Sequence, residues 1–130
     1  MSEPCENIPG SDFYDYNDKY INGKSKSIIP AVLEIHEINR IKLLAKQVAE
    51  LLNVEGMARI DFLIEKNTNQ IYLNEVNTIP GFTPISMFPK MWEASGISYP
   101  QLILSLINLA IQRFSKREMI FNNFKNAIKS

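Results

Sequence analysis

From Glu34 to Asn53 the residues Ile38, Ile41, Leu44, Ala45, Val48, Leu51 and Leu52 recur at the spacing of one helical face. Glu34, Glu37, Arg40, Lys42, Lys46 and Glu50 fill most of the opposite face. The pattern predicts a helix over 34–53, with Pro30 upstream and Gly56 just past its end. The apolar period then shortens to two. Met57–Glu65 and Gln70–Asn77 read as strands, and the short, turn-rich Lys66-Asn67-Thr68-Asn69 between them predicts an antiparallel hairpin over 57–77. Thr78 to Pro84 holds two prolines and a glycine and must be a loop. Ile85–Ser95 predicts a short helix ended by Gly96. From Tyr99, with Pro100 tolerated in a first turn, Leu102, Ile103, Leu106, Ile107, Ala110 and Phe114 predict a second amphipathic helix. Residues 115–130 read as a basic C-terminal tail or a further helical turn.

Upstream of the first helix no period is visible. Residues 1–12 carry Pro4, Pro9 and Gly10 and read as irregular. Residues 13–27 mix aromatic and polar side chains around the turn signal Asn22-Gly23 and predict a long loop, a kind of segment that often carries function. Helices around one hairpin make the fold class α+β, with an organised unit over 13–114 between the irregular start and the tail.

The bulk properties narrow the partners. The chain has 130 residues, 45% hydrophobic and 22% charged, so one domain or part of one is expected. Fourteen basic and fourteen acidic residues cancel, which gives no electrostatic reason to expect a nucleic acid or a membrane. Cys5 is the single cysteine and His36 the single histidine, so neither a disulfide nor a Cys/His metal site is expected. His36 reads as a solvated residue of the helix's first turn. The acidic N-terminus lacks the basic start and apolar stretch of a signal peptide, and cytoplasmic localisation is the expectation.

The hairpin carries the candidate chemistry. Residues two apart on a strand share a face, so Arg59 sits with Asp61 and Glu75 with Asn77. A turn symmetric about Thr68 sets Asp61 opposite Glu75 and Arg59 opposite Asn77. The other face receives Ile60 with Val76, Phe62 beside Asn74, and Ile64 with Tyr72. Two carboxylates and an amide oxygen form a hard donor set suited to Mg²⁺ or Mn²⁺. Arg59 beside them would meet a phosphate or an oxyanion. A solvated face on which Arg59 merely neutralises a carboxylate accounts for the same residues. Opposed carboxylates cost stability without a bridging cation, which moves the balance only slightly toward the metal reading. In the following loop, Gly81 allows a ligand close to the backbone, and Ser86 near a helix start can present its hydroxyl to a carboxylate. An ordinary strand-to-helix connection explains that loop equally.

Arg59-Ile60-Asp61-Phe62 and Glu75-Val76-Asn77-Thr78-Ile79-Pro80-Gly81-Phe82-Thr83 together closely resemble the signature of D-alanine–D-alanine ligases, members of the ATP-grasp superfamily. Phe13-Tyr14-Asp15-Tyr16-Asn17-Asp18-Lys19-Tyr20 is similar to that family's omega loop, and the likeness extends through Ser86-Met87-Phe88-Pro89 and Gly96-Ile97-Ser98-Tyr99. It covers roughly residues 8–114. The resemblance implies the C-terminal part of an ATP-grasp domain, with residues 13–27 as the omega loop. It implies a ligase of peptidoglycan precursor synthesis that joins two D-alanines through an acyl phosphate, with ATP as co-substrate. It further implies two Mg²⁺ (or Mn²⁺) ions held by Asp61, Glu75 and Asn77. Arg59 and the Gly81 N–H would stabilise the tetrahedral oxyanion. Ser86 and Met87 would grip the second D-alanine's carboxylate. Lys19 would reach the ATP phosphates, Phe13 would lie near the adenine, and Tyr20 is the tyrosine typical of dipeptide-forming members.

The family's N-terminal domain and the first half of its ATP-grasp module have no counterpart here. The expected partners are therefore ATP, D-alanine and that missing N-terminal part, and the chain alone is expected to be inactive. Loop 13–27 is expected to be mobile, its aromatics collapsing on the hairpin or pairing with a second copy in a homodimer. Two competing functions remain: another ATP-grasp carboxylate–amine ligase, which would differ at the omega loop and at Ser86-Met87, and a non-catalytic binding domain that keeps the fold.

Overall fold

The computed structural model describes residues 1–8, 26–83 and 85–128. Strand β1 (Glu6–Ile8) pairs antiparallel with β2 (Lys26–Ile28), followed by helix α1 (Ile35–Leu51). Strands β3 (Arg59–Ile64) and β4 (Ile71–Asn77) form a second antiparallel pair, and helices α2 (Met87–Ala94) and α3 (Tyr99–Ile128) close the chain. The α+β class expected from the sequence is the class observed. Among the described residues no single helix is long and apolar enough to cross a membrane.

The 34–53 helix appears as α1, opened by the Glu37 carboxylate accepting the Glu34 N–H at 3.0 Å. Asn53, with φ of 50°, turns the chain out of the helix before Gly56 does, because asparagine tolerates the left-handed region. Ile38, Ile41, Leu44, Ala45 and Val48 turn inward, but Leu51 is 82% exposed. His36 is exposed, as expected.

Three expectations are corrected. Within the irregular 1–12 and the loop 13–27, residues 6–8 and 26–28 form a small ladder; three-residue strands are too short to show a period, and their pairing supplies the order. That ladder is anchored by Ala31 N–H donating to the Pro4 carbonyl at 2.9 Å and Glu3 N–H donating to Ser95 Oγ at 2.7 Å. The basic tail is instead the second half of α3, since no glycine or proline interrupts 115–128 and Arg113 and Arg117 both pair with Glu55. The third correction lies within the hairpin. Register runs Arg59↔Asn77, Ile60↔Val76 and Asp61↔Glu75, then slips to Phe62↔Leu73, Leu63↔Tyr72 and Ile64↔Ile71. Asn74 is the extra residue of a bulge. The slip has a physical reason: strict alternation would turn Asn74 and Tyr72 onto the face of Ile60, whereas the bulge brings Leu73 and Ile71 there. Phe13, Lys19 and Tyr20 lie outside the described residues, as does nearly all of the loop whose mobility was expected.

A buried aromatic cluster sits beneath the loop that leaves β4. Phe88 is 6% exposed, and its ring centroid lies 5.4 Å from Phe82 and 6.5 Å from Trp92. Tyr99 closes on Phe82 at 6.0 Å and donates to the Phe82 carbonyl at 3.1 Å. Pro80, Pro89 and Leu102 are also buried. This aromatic cluster ties the loop to α2 and to the start of α3. We expect Phe88→Ala to cost about 3–5 kcal/mol, a large share of a domain's stability. Urea denaturation followed by circular dichroism measures it; a cost below about 1 kcal/mol would show that the cluster is not the core.

Candidate functional site

The first half of the hairpin register puts four polar side chains on one face. Asp61 stands directly opposite Glu75, and Arg59 opposite Asn77, on the side of the bulge away from the turn. Arg59 Nε donates to both Asp61 oxygens, at 2.8 and 3.1 Å, and its Nη2 donates to Oδ2 at 2.9 Å. The same Nη2 lies 3.7 Å from Glu75 Oε1. One guanidinium thus faces two carboxylates, leaving the trio one negative charge. Exposure rises outward, from 15% for Arg59 to 33% for Asp61 and 54% for Glu75. The arginine forms the floor of the face and Glu75 reaches solvent.

Asn77 Oδ1 accepts the Ile79 N–H at 3.0 Å, a side-chain turn that fixes the chain's exit from β4. One lone pair of that oxygen remains for another partner. Among the described residues no three His, Cys, Asp or Glu side chains group closely enough to hold a metal by themselves. Asp61, Glu75 and Asn77 therefore offer two carboxylates and one amide. That set fits Mg²⁺, which takes few protein oxygens and completes its shell from water and phosphate.

The loop beyond β4 returns to the same region. Ser86 precedes α2 as its N-cap, yet its hydroxyl makes no cap hydrogen bond. It turns back instead, accepting the Thr83 N–H at 2.9 Å and lying 2.8 Å from Thr83 Oγ1, while Ser86 N–H donates to the Thr83 carbonyl at 2.9 Å. A Cβ on Gly81 would meet Ser86 Oγ at 3.0 Å, so the bare glycine lets the two loop segments close. The first N–H groups of α2 have no side-chain cap and lie at the helix's positive end, a favourable place for a carboxylate.

Four residues absent from the sequence-based site enter here: Cys5 and Ser27 approach Met87, Asn7 accepts from Ser27, and Thr83 meets Ser86. No spacing signal could have found the first three, because they lie 60 to 82 positions away from Met87 in the chain. Burial raises the Cys5 thiol above its ordinary value of 9.0, the charges of Asp61 and Glu6 raise it further, and hydrogen bonds from Ser27 and Ile28 oppose them. The raised value means that folding favours the neutral thiol. Its stabilising effect is complete at neutral pH and is lost as pH climbs past 9.0, where the unfolded thiol ionises first. In metal-free buffer, iodoacetamide should label Cys5 more slowly than free cysteine, with a rate midpoint above 9.0. A midpoint below that value would contradict the burial.

The D-ala D-ala ligase C-terminus family model matches residues 1–108. A D-alanine–D-alanine ligase of Clostridium novyi is 49% identical over 113 residues, covering 87% of this chain but 33% of that protein. The solved D-alanine-D-alanine ligase of Coxiella burnetii superposes with a TM-score of 0.78 at 38% identity, over 82% of this chain and 30% of that one. The solved VanG D-Ala:D-Ser ligase of Enterococcus faecalis superposes with a TM-score of 0.72 at 35% identity, over 83% and 31%. The chain thus spans about a third of the length of the curated relatives it matches.

Proposed function

The chain belongs to the D-ala D-ala ligase C-terminal family, with the C-terminal part of an ATP-grasp fold, and we propose that it is the phosphate- and metal-handling part of a ligase that joins D-alanine to D-alanine. One observation carries the reading: Arg59, Asp61, Glu75 and Asn77 share a single hairpin face, from which Gly81 and Ser86 follow directly. The proposed partner is the upstream two-thirds that the relatives carry, and the proposed compartment is the cytoplasm.

In this reading Asp61, Glu75 and Asn77 hold Mg²⁺, two ions as the family resemblance implies. When bound, the metal would supply charge neutralisation to the ATP phosphates. The carboxylate of the first D-alanine attacks the γ-phosphorus and ADP departs, leaving an acyl phosphate. The amine of the second D-alanine then attacks the acyl carbon. The Arg59 guanidinium and the Gly81 N–H stabilise the oxyanion that forms, and phosphate leaves as the peptide bond closes. The Ser86 hydroxyl and the N–H groups of Met87 and its successor hold the second D-alanine's carboxylate, which orients its amine. Lys19 reaches the ATP phosphates, Phe13 covers the adenine and Tyr20 completes the lid.

A non-catalytic domain that keeps the fold is favoured by one feature: both Asp61 oxygens already accept hydrogen bonds from Arg59. Co-expression with the upstream portion of the Clostridium novyi relative separates the two readings. The ligase reading expects the co-purified pair to release phosphate and form D-alanyl-D-alanine from ATP, Mg²⁺ and D-alanine. A stable pair that turns over no ATP supports the non-catalytic domain.

A further inference from the structure

The β1–β2 ladder ends against the start of α2. Asn7 and Ser27 face each other across that ladder, and Ser27 Oγ donates to Asn7 Oδ1 at 2.8 Å. Two groups from its strands and the preceding residue converge on one thioether: Cys5 Sγ lies 3.8 Å, and Ser27 Oγ 3.9 Å, from Met87 Sδ. Methionine is unbranched, with three rotatable bonds, and adopts many rotamers unless something fixes it. Here a thiol and a hydroxyl approach its sulfur, and one of them is itself locked to a neighbouring strand. Met87 opens α2, immediately after Ser86, so the side chain being held is next in the chain to the hydroxyl proposed to hold the second D-alanine's carboxylate.

We propose that Cys5 and Ser27 are positioning residues for Met87, and that through it they set the size of the subsite for the second, amine-supplying D-amino acid. The inference rests on the reading of Ser86 and Met87 as that substrate's carboxylate grip. A fixed thioether presents a wall of one shape and suits a small side chain. A loosened one lets the wall swing away, so that a small acceptor is ordered less well and a larger one is tolerated better. Cys5 and Ser27 thereby act on acceptor choice without touching the acceptor.

The test uses the full chain assembled with the upstream portion of the Clostridium novyi relative. Cys5→Ala and Ser27→Ala should each raise the KM for the acceptor D-alanine about two- to tenfold, the cost of re-ordering one flexible side chain. They should also reduce the preference for D-alanine over D-serine, while kcat and the KM for ATP stay within about twofold of the starting protein. Ser27→Thr, which keeps the hydroxyl, should restore the acceptor KM. Adding Met87→Leu to either alanine variant should bring much less than the summed effects, because both act through one side chain. Acceptor KM values unchanged in an active assembly, or fully additive effects with Met87→Leu, would overturn the proposal and leave the ligase reading standing. An inactive starting assembly would remove the ligase reading and the proposal with it.

Discussion

Purified alone and given ATP, Mg²⁺ and D-alanine, the chain is expected to form no measurable D-alanyl-D-alanine. The proposed metal face, oxyanion donor and carboxylate grip all lie on its hairpin and loop, but the chain covers only 33% of its 49%-identical relative. In the proposed reading the first D-alanine is bound by the upstream portion that the relatives carry. Holding two reactants in attack geometry accounts for about 7–11 kcal/mol of a typical barrier, and a reactant left in bulk solution forfeits that term. The exposed apolar side chains agree with an unfinished site. Leu63 and Tyr72, on the hairpin face that carries Asp61, are 59% and 51% exposed, and Leu51 at the end of α1 is 82% exposed. Liquid chromatography of overnight reactions is the measurement. Dipeptide formed by the lone chain, above a no-enzyme control, would show that the 130 residues suffice.

Glu75→Gln in the assembled ligase is expected to lower kcat by about three orders of magnitude, or ~4 kcal/mol, because it removes a charged ligand from ions that stabilise the transferring phosphate. The same change should leave folding intact. Glu75 is the more exposed of the two carboxylates and lies opposite Asp61 across the ladder, so removing its charge relieves repulsion. A thermal midpoint that holds or rises while kcat collapses is the combined result to look for. A loss of less than tenfold in kcat would mean that Glu75 is a surface carboxylate paired with Arg59 and no more.

The geometry of the polar hairpin face was legible because it depends on local rules. A period of two, a short turn and a centre near Thr68 were enough to oppose Asp61 to Glu75 and Arg59 to Asn77, and the ladder has those pairs. The bulge at Asn74 was missed, although the chain carried a trace of it. Ile71, Leu73 and Val76 are the apolar residues of β4, and the step of three between the last two breaks the alternation. The end of α3 was misjudged for a different reason. The charges of Lys116, Arg117 and Glu118 interrupt the apolar face, but nothing there stops a helix, and Glu55 supplies a partner from a distant loop. Tertiary contacts of that kind leave no periodic mark. The same holds for Cys5 and Ser27, whose meeting with Met87 depends on three-residue strands that only their pairing defines. The candidate site residues were read mainly from resemblance to a family. The hairpin's polar face alone would have left a metal site and a solvated ion pair nearly equal.

That equality is what a paramagnetic ion can break. Mn²⁺ with ADP, titrated into the isotope-labelled chain, should broaden the amide resonances of Asp61, Glu75 and Asn77 first. Those of Lys66 to Asn69, at the far end of the same hairpin, should stay sharp. Asp61→Asn should abolish the selective broadening. Broadening spread over the surface carboxylates of α1 and α3, with the Asp61–Glu75 face no more affected than the turn, would contradict the assignment of this face to metal and phosphate.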